Sequence, residues 1–144
     1  MTERIRNIAV GLIVRDGHVL AEEYSETDRY GRFLRAIGGG IDFGERAEEA
    51  LRREFREELA VEIQAAELLA VTENLFTLAG RPGHEVVHVF SIRSDELERM
   101  PLDERRRIID GSSTAGWWPL DELGDETLPM YPDGILDLAR SLAG

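Results

Sequence analysis

The chain has 144 residues and a mass of 16.2 kDa, the size of one ordinary domain, so residues 1–144 are read as a single unit. Hydrophobic residues at 42% and charged residues at 32% supply a core and argue against disorder. Against 29 acidic residues stand 17 basic ones, a formal net charge of −12, which excludes counterion-driven binding to a nucleic-acid polymer; an anionic substrate needs a metal ion or local arginines.

Every basic residue is arginine. Without lysine there is no Schiff-base chemistry and no phosphate loop of the GxxxxGK[ST] type, whereas arginine suits bidentate phosphate contact. Without cysteine there is no disulfide framework, thiol nucleophile, iron–sulfur cluster or cysteine zinc site, and a cytoplasmic setting is compatible. The apolar stretch Ile8 to Val14 is interrupted by Gly11 and is too short for a secretory core or a membrane span.

In chain order, Ile8, Val10 and Leu12 alternate before Asp16-Gly17, and Val19 and Leu20 follow, which predicts a hairpin with an Asp-Gly turn. The polar segment Tyr24 to Tyr30 reads as a loop. Phe33, Leu34 and Ile37 then predict a short strand running into Gly38-Gly39-Gly40, where the backbone must be tight. From Ala47 to about Ala60 the composition is strongly helix-forming, with Gly44 as the break before it. Leu68 to Thr77 and His84 to Ile92 predict two strands joined by a turn over Ala79 to Gly83. Asp95 to Ile109 reads as a loop with a helical turn, Ala115 to Leu120 as a late strand, and Pro132 to Leu142 as a helix with proline in its first turn. Strands and helices do not strictly alternate, so the expected fold is α/β, an α/β/α layered sandwich around a mixed central sheet.

Steps of about 100° per residue place Ala47, Ala50, Leu51, Phe55 and Leu59 on the inner side of the central helix. Glu54 and Glu58 then project between Ala50 and Leu51, with Glu57 at the edge. Carboxylates at these spacings repel one another, and a buried one is costly unless paired or bound to metal. A solvated Glu/Arg surface, with Arg53 pairing to Glu57 one turn on, is the alternative account. A hard divalent cation is the physical compensation on the first account, because Mg²⁺ takes a few carboxylate oxygens, keeps waters and bridges to phosphates.

The glycines decide between them. Gly39, Glu45 after five residues, Arg53-Glu54 after seven more, Glu57-Glu58 and Val61 form a segment that resembles the Nudix box, Gx5Ex7REUxEExGU, where U is a bulky aliphatic residue. Two positions depart from the pattern: Phe55 replaces an aliphatic residue, and Ala60 replaces the glycine that ends the family's helix. A left-handed alanine costs about 1 to 2 kcal/mol, so a different helix end or a slightly longer helix is expected. The box spans 39–61, and Trp118-Pro119-Leu120-Asp121-Glu122-Leu123 also resembles the family's late strand-to-helix segment.

The resemblance implies a Nudix-type sandwich and hydrolysis of a nucleoside diphosphate linked to another moiety, with Mg²⁺ or Mn²⁺. It assigns metal binding to Glu54, Glu57, Glu58 and the Gly38 carbonyl, orientation of the glutamates to Arg53, and the loop positions to Gly39, Gly40 and Glu45. Metal held by the carboxylates would polarise phosphoryl oxygens and acidify a water that attacks phosphorus. The general base stays open between the box glutamates and a later loop acid. The partner implied is a small nucleotide-derived substrate, and the family leaves room for a homodimer. A Nudix-fold binding module without catalysis is the other reading, usually marked by loss of the glutamate pair that Glu57-Glu58 retains.

Outside the box, Glu85 shares a strand face with Val87 and Val89 and is a candidate metal or substrate acid. His84 and His88 lie on the opposite face, too far apart for an easy metal pair. Arg32, Arg35 and Arg81 are candidates for phosphate contact, and Phe76, Trp117 and Tyr131 for stacking on a ring.

Overall fold

The computed structural model describes residues 3–24, 32–78, 80–109, 111 and 113–143. In chain order it contains β1 (Arg6–Leu12), β2 (Val14–Arg15), β3 (His18–Tyr24), β4 (Phe33–Arg35), β5 (Ile37–Gly40), α1 (Ala47–Leu59), β6 (Ala65–Leu78) and β7 (Arg81–Arg93). These are followed by α2 (Asp95–Arg99), β8 (Arg105–Arg107), β9 (Thr114–Pro119), a 3-10 turn (Leu120–Glu122), β10 (Met130–Tyr131) and α3 (Ile135–Ala143). The predicted loop at Tyr24 to Tyr30 falls almost entirely outside the described residues.

The α/β class holds, but the strands divide between two mixed sheets. One has the order β5-β1-β7-β6, with β1 and β7 parallel; the other runs β10-β4-β3-β9-β8, with β2 paired to β3. This division corrects two sequence expectations. The Asp-Gly turn is present, with φ of 50° at Asp16 and 72° at Gly17, yet it joins only β2 to β3, while β1 pairs with β5 and β7 in the other sheet. Likewise the strand expected through Phe33 and Ile37 is cut at Ala36, which carries the chain from β4 in one sheet to β5 in the other. Hydrophobic alternation reports which residues are buried, and it is blind to a change of sheet between them.

The period-2 alternation along β1 separates two cores. Ala9 packs with Ala50, Leu51, Phe55 and Leu59 of α1, while Ile8, Val10 and Leu12 pack with Leu34, Val87, Val89 and with Ile135 and Ala139 of α3. The inner face read for α1 is thus the buried one. Each fully buried Leu or Phe on it contributes about 1.5–3 kcal/mol, which is what fixes the helix axis and aims its remaining faces.

Other boundaries move. The β6–β7 hairpin pairs Leu78 with Arg81, so the turn is tighter than the predicted segment over 79–83. Arg105–Arg107, read as loop, is an edge strand on β9. The last helix begins at Ile135, after Gly134 at φ 86°, so Pro132 precedes it rather than occupying its first turn; the Ile135 amide donates to the Pro132 carbonyl at 3.1 Å.

The end of α1 answers the question raised by Ala60. Instead of extending, the helix closes with Ala60 at φ 57°, ψ 37°, its amide donating to Arg56 O at 3.0 Å and the next amide, of Val61, reaching back toward Phe55 O. A Cβ in that conformation carries a steric penalty that glycine lacks, partly offset by glycine's greater freedom in the unfolded chain. Ala60→Gly is therefore expected to raise stability by about 0.5–1 kcal/mol in urea unfolding; an unchanged or lower midpoint would show that the left-handed cap is not strained.

Candidate active site

Gly38, Gly39 and Gly40 end β5 against β1, and the glycines are needed for different reasons. A Cβ at Gly38 would lie 2.0 Å from the Ala9 carbonyl oxygen, and one at Gly39 would lie 2.5 Å from Cδ of Glu54. The first position lets two backbones approach, and the second leaves room for a carboxylate from α1. At Gly40 the space is open, the nearest atom to a Cβ being an Arg6 nitrogen at 3.6 Å. Its contribution is its carbonyl, which accepts from Arg53 Nη2 at 2.9 Å.

Arg53 projects from α1 into this turn and uses its whole guanidinium fork. Nε and Nη2 donate to the two carboxylate oxygens of Glu45 at 2.7 and 2.9 Å, while Nη1 donates to Glu54 at 2.9 Å and to Glu57 at 3.0 Å. Glu45 is held from its own side by the Asp42 amide at 3.0 Å. The hydrogen bonds from Arg53 and then from that amide lower the Glu45 carboxyl to about 2, and its Glu45 bond raises Arg53 above the usual arginine range. The loop before α1 is thereby latched to the face that carries the glutamates.

A polar cavity of about 310 Å³ opens beside the glycines. Gly38, Gly39 and Gly40 line it with Glu54 and Glu58 from α1, and Glu22, Tyr24, Arg6 and Arg35 border it from the neighbouring strands. Glu58 is the telling residue: its Oε2 is buried and has no hydrogen-bond partner. Burial, then the hydrogen bond to Glu54 and the charge of Glu22, push its carboxyl up to about 9. Burial and the neighbouring glutamates thus disfavour the charged form of Glu58.

The sequence candidates therefore separate. Gly38, Gly39, Gly40, Glu54 and Glu58 come together around one cavity. Glu57 does not line it; its side chain is 55% exposed and turned to Arg53. Glu45 does not line the cavity and is joined to it through its bonds to Arg53. Glu85, a candidate metal or substrate acid, lines a neighbouring cavity and pairs with Arg6 at 3.4 Å and Arg35 at 3.8 Å, so its charge is already balanced. Arg35 borders both cavities, while Phe76 and Tyr131 line only the second and Trp117 is core.

Sequence reasoning missed Glu22 and Tyr24. Glu22 is 7% exposed and accepts a hydrogen bond from Ser113; Tyr24 is raised above the usual phenol range first by burial and then by the charge of Glu22. The signal was available as charge on a strand: Glu22 and Glu23 follow the apolar run Val19 to Ala21, and consecutive strand residues face opposite sides, so one of the two had to turn inward.

Among the described residues, no three carboxylate or imidazole groups converge as a ready-made cation cage. The donor set nevertheless fits a hard divalent ion. Mg²⁺ is held through one or two carboxylates with waters and substrate phosphates completing its shell, and the buried, partnerless Glu58 oxygen beside Glu54 and Glu22 supplies acceptors of that kind.

Comparison with known proteins agrees with this geometry. A sequence-family model described as NUDIX domain matches residues 5–138. Similar solved structures include a MutT NUDIX hydrolase from Burkholderia pseudomallei, at 24% identity and a TM-score of 0.61 over 99% of this chain and 100% of that one. A NUDIX hydrolase from Nitrosomonas europaea matches at 18% identity and TM-score 0.66, covering 96% and 87% of the two chains. The E. coli ORF135 protein matches at 20% and 0.59, covering 99% and 93%. At these identities the neighbours speak for the fold, and the sequence match over most of the chain speaks for the family. The chain belongs to the Nudix family and is a hydrolase of phosphoric anhydride bonds.

Proposed function

We propose that the chain hydrolyses a nucleoside diphosphate linked to another moiety, using Mg²⁺, with Mn²⁺ as the substitute, in the cytoplasm. The observation that carries the reading is the Oε2 oxygen of Glu58, buried without a hydrogen-bond partner beside Glu54 and the glycine turn. A carboxylate placed there without a cation destabilises the fold, and a divalent ion removes the conflict.

In this reading Glu54 and Glu58 hold the ion, with the Gly38 carbonyl as backbone donor. When bound, the cation binds phosphate oxygens and makes a water nucleophilic toward phosphorus. The chain does the rest. Gly39 leaves room for the Glu54 carboxylate, and Arg53 fixes its rotation while Glu45 fixes Arg53. Arg6 and Arg35, bordering the same cavity, present guanidinium groups suited to the substrate's phosphates. Glu22, bound by Ser113, keeps the field negative near Glu58, which favours cation capture. Glu57, tied to Arg53 at the exposed rim, supports orientation from outside.

Among the described residues no helix is long and apolar enough to cross a membrane. The reading is tested by product release from a panel of nucleoside triphosphates, nucleotide sugars, ADP-ribose and dinucleoside polyphosphates, with Mg²⁺ or with chelator. Turnover of at least one member that vanishes with chelator is expected. No turnover by a folded protein that still binds Mg²⁺ or nucleotide would leave a binding module instead.

A further inference from the structure

The second cavity, also about 310 Å³, adjoins the polar one and shares Tyr24 and Arg35 with it. Its walls are aromatic. Tyr24 and Phe33 stack with centroids 5.2 Å apart at an interplanar angle of 12°, and Tyr131 meets Phe33 edge-on at 5.8 Å. Phe76 contributes from β6. A flat apolar ring fits such walls, since base–aromatic stacking is insensitive to which base is present.

Two buried polar side chains break this apolar lining. Asn74 and Glu85 are 6% and 4% exposed, and they stand directly opposite each other in the β6–β7 register, so both project from the same face. Their needs are incompletely met. The Asn74 amide nitrogen has only a 3.5 Å contact with the Thr72 hydroxyl, while Glu85 accepts one long hydrogen bond, from Arg6 Nη1 at 3.4 Å, and has Arg35 Nη2 at 3.8 Å, so acceptor sites of the carboxylate stay open.

A carboxylate accepts and does not donate, so the edge it faces must offer N–H groups. Of the four common bases only guanine has two adjacent donors, N1–H and the exocyclic amine, with the O6 acceptor beside them. Adenine and cytosine would set a ring-nitrogen lone pair against Glu85, and uracil flanks its single N–H with two carbonyls. The Asn74 amide is the donor available for O6. Resting on the nucleotide-hydrolase reading for the class of ligand, we propose that the substrate is a guanine nucleotide whose ring edge is read by Glu85 and Asn74, as specificity-determining residues.

The test is equilibrium binding of GMP, AMP, CMP and UMP to the full chain by calorimetry, alongside Mg²⁺-dependent turnover of the four triphosphates. GMP is expected to bind about 10- to 100-fold tighter than the others, with the preference appearing in KM rather than kcat. Glu85→Gln places an N–H beside a C=O, which matches the N1/N6 edge of adenine, so the preference should move from GMP toward AMP. Asn74→Ala should weaken GMP about tenfold and AMP much less; it decides the matter should Glu85→Gln fail to fold.

Equal binding of the four monophosphates, no measurable GMP binding, or an equal loss for all four in both variants would overturn the inference. The hydrolase reading fails separately: GMP selectivity without turnover of any member of the wider panel of nucleotide derivatives would remove it and keep the ring site, whereas metal-dependent turnover without base preference would do the reverse.

Discussion

Glu58→Gln is expected to melt at a higher temperature than the parent chain in chelator at pH 8, and to lose metal-dependent turnover by about 100-fold or more. Glu58 has a carboxyl raised from its ordinary 4.5 to about 9, by burial first and by Glu54 and Glu22 next. Between those values the unfolded chain has released a proton that the native chain keeps, so stability falls as pH rises through that window. Glutamine has the same shape and no charge to lose. Because the carboxyl is only partly buried, solvent screening reduces the gain to about 1–2 kcal/mol, or roughly 3–8 °C for a chain of this size.

The same comparison separates Glu58 from Glu45, whose carboxyl is held near 2. A lowered carboxyl stabilises the fold above its unfolded value and loses that effect as pH falls from about 4.5 toward 2, so the two windows do not overlap. Calorimetry in chelator should show parent and Glu58→Gln converging near pH 4.5 and diverging toward pH 9. Millimolar Mg²⁺ should then raise the parent's melting temperature and leave the variant's almost unchanged. A variant less stable at every pH would mean that Glu58 is a structural residue whose burial is already satisfied.

Much of this site is legible in the sequence, because its parts lie in one short stretch governed by helix period and glycine geometry. Glu54 and Glu58 project where 100° steps put them, and the triple glycine marks a tight approach that Gly38 and Gly39 do require. What was not legible depends on strand partners. Glu22 reaches the cavity because β3 lies in one sheet and β5 in the other, a division that no local pattern in Val19 to Gly40 encodes. Alternation places Glu85 on the face of Val87, but that this face is buried and which cavity Glu85 meets depend on its registers with Arg6 and Asn74. Ala60 shows the opposite limit: its deviation from the box pattern suggested a changed helix end, yet packing of Phe55 and Leu59 holds the left-handed cap despite the alanine.

Arg53→Lys is the second substitution with a large expected effect, although it keeps the charge. The guanidinium spends all five N–H groups on four partners, namely Glu45 twice, Glu54, Glu57 and the Gly40 carbonyl. An ammonium has three donors, radiating from one point, and cannot span a loop, a glycine turn and two helix residues together. With lysine, Glu45 is released and its carboxyl returns toward the ordinary range, the loop before α1 loses its latch, and Glu54 loses the bond that sets its rotation. Affinity for Mg²⁺, read by calorimetry, should fall about 10- to 100-fold, and kcat should fall with it, because the partner that orients a metal-binding carboxylate acts through that carboxylate. Glu45→Gln removes one arm of the fork and should cost less. In the double variant the losses should fall well short of additive, since Arg53→Lys has already broken the bond that Glu45→Gln weakens. Fully additive effects would show that Glu45 reaches the site by a route other than Arg53.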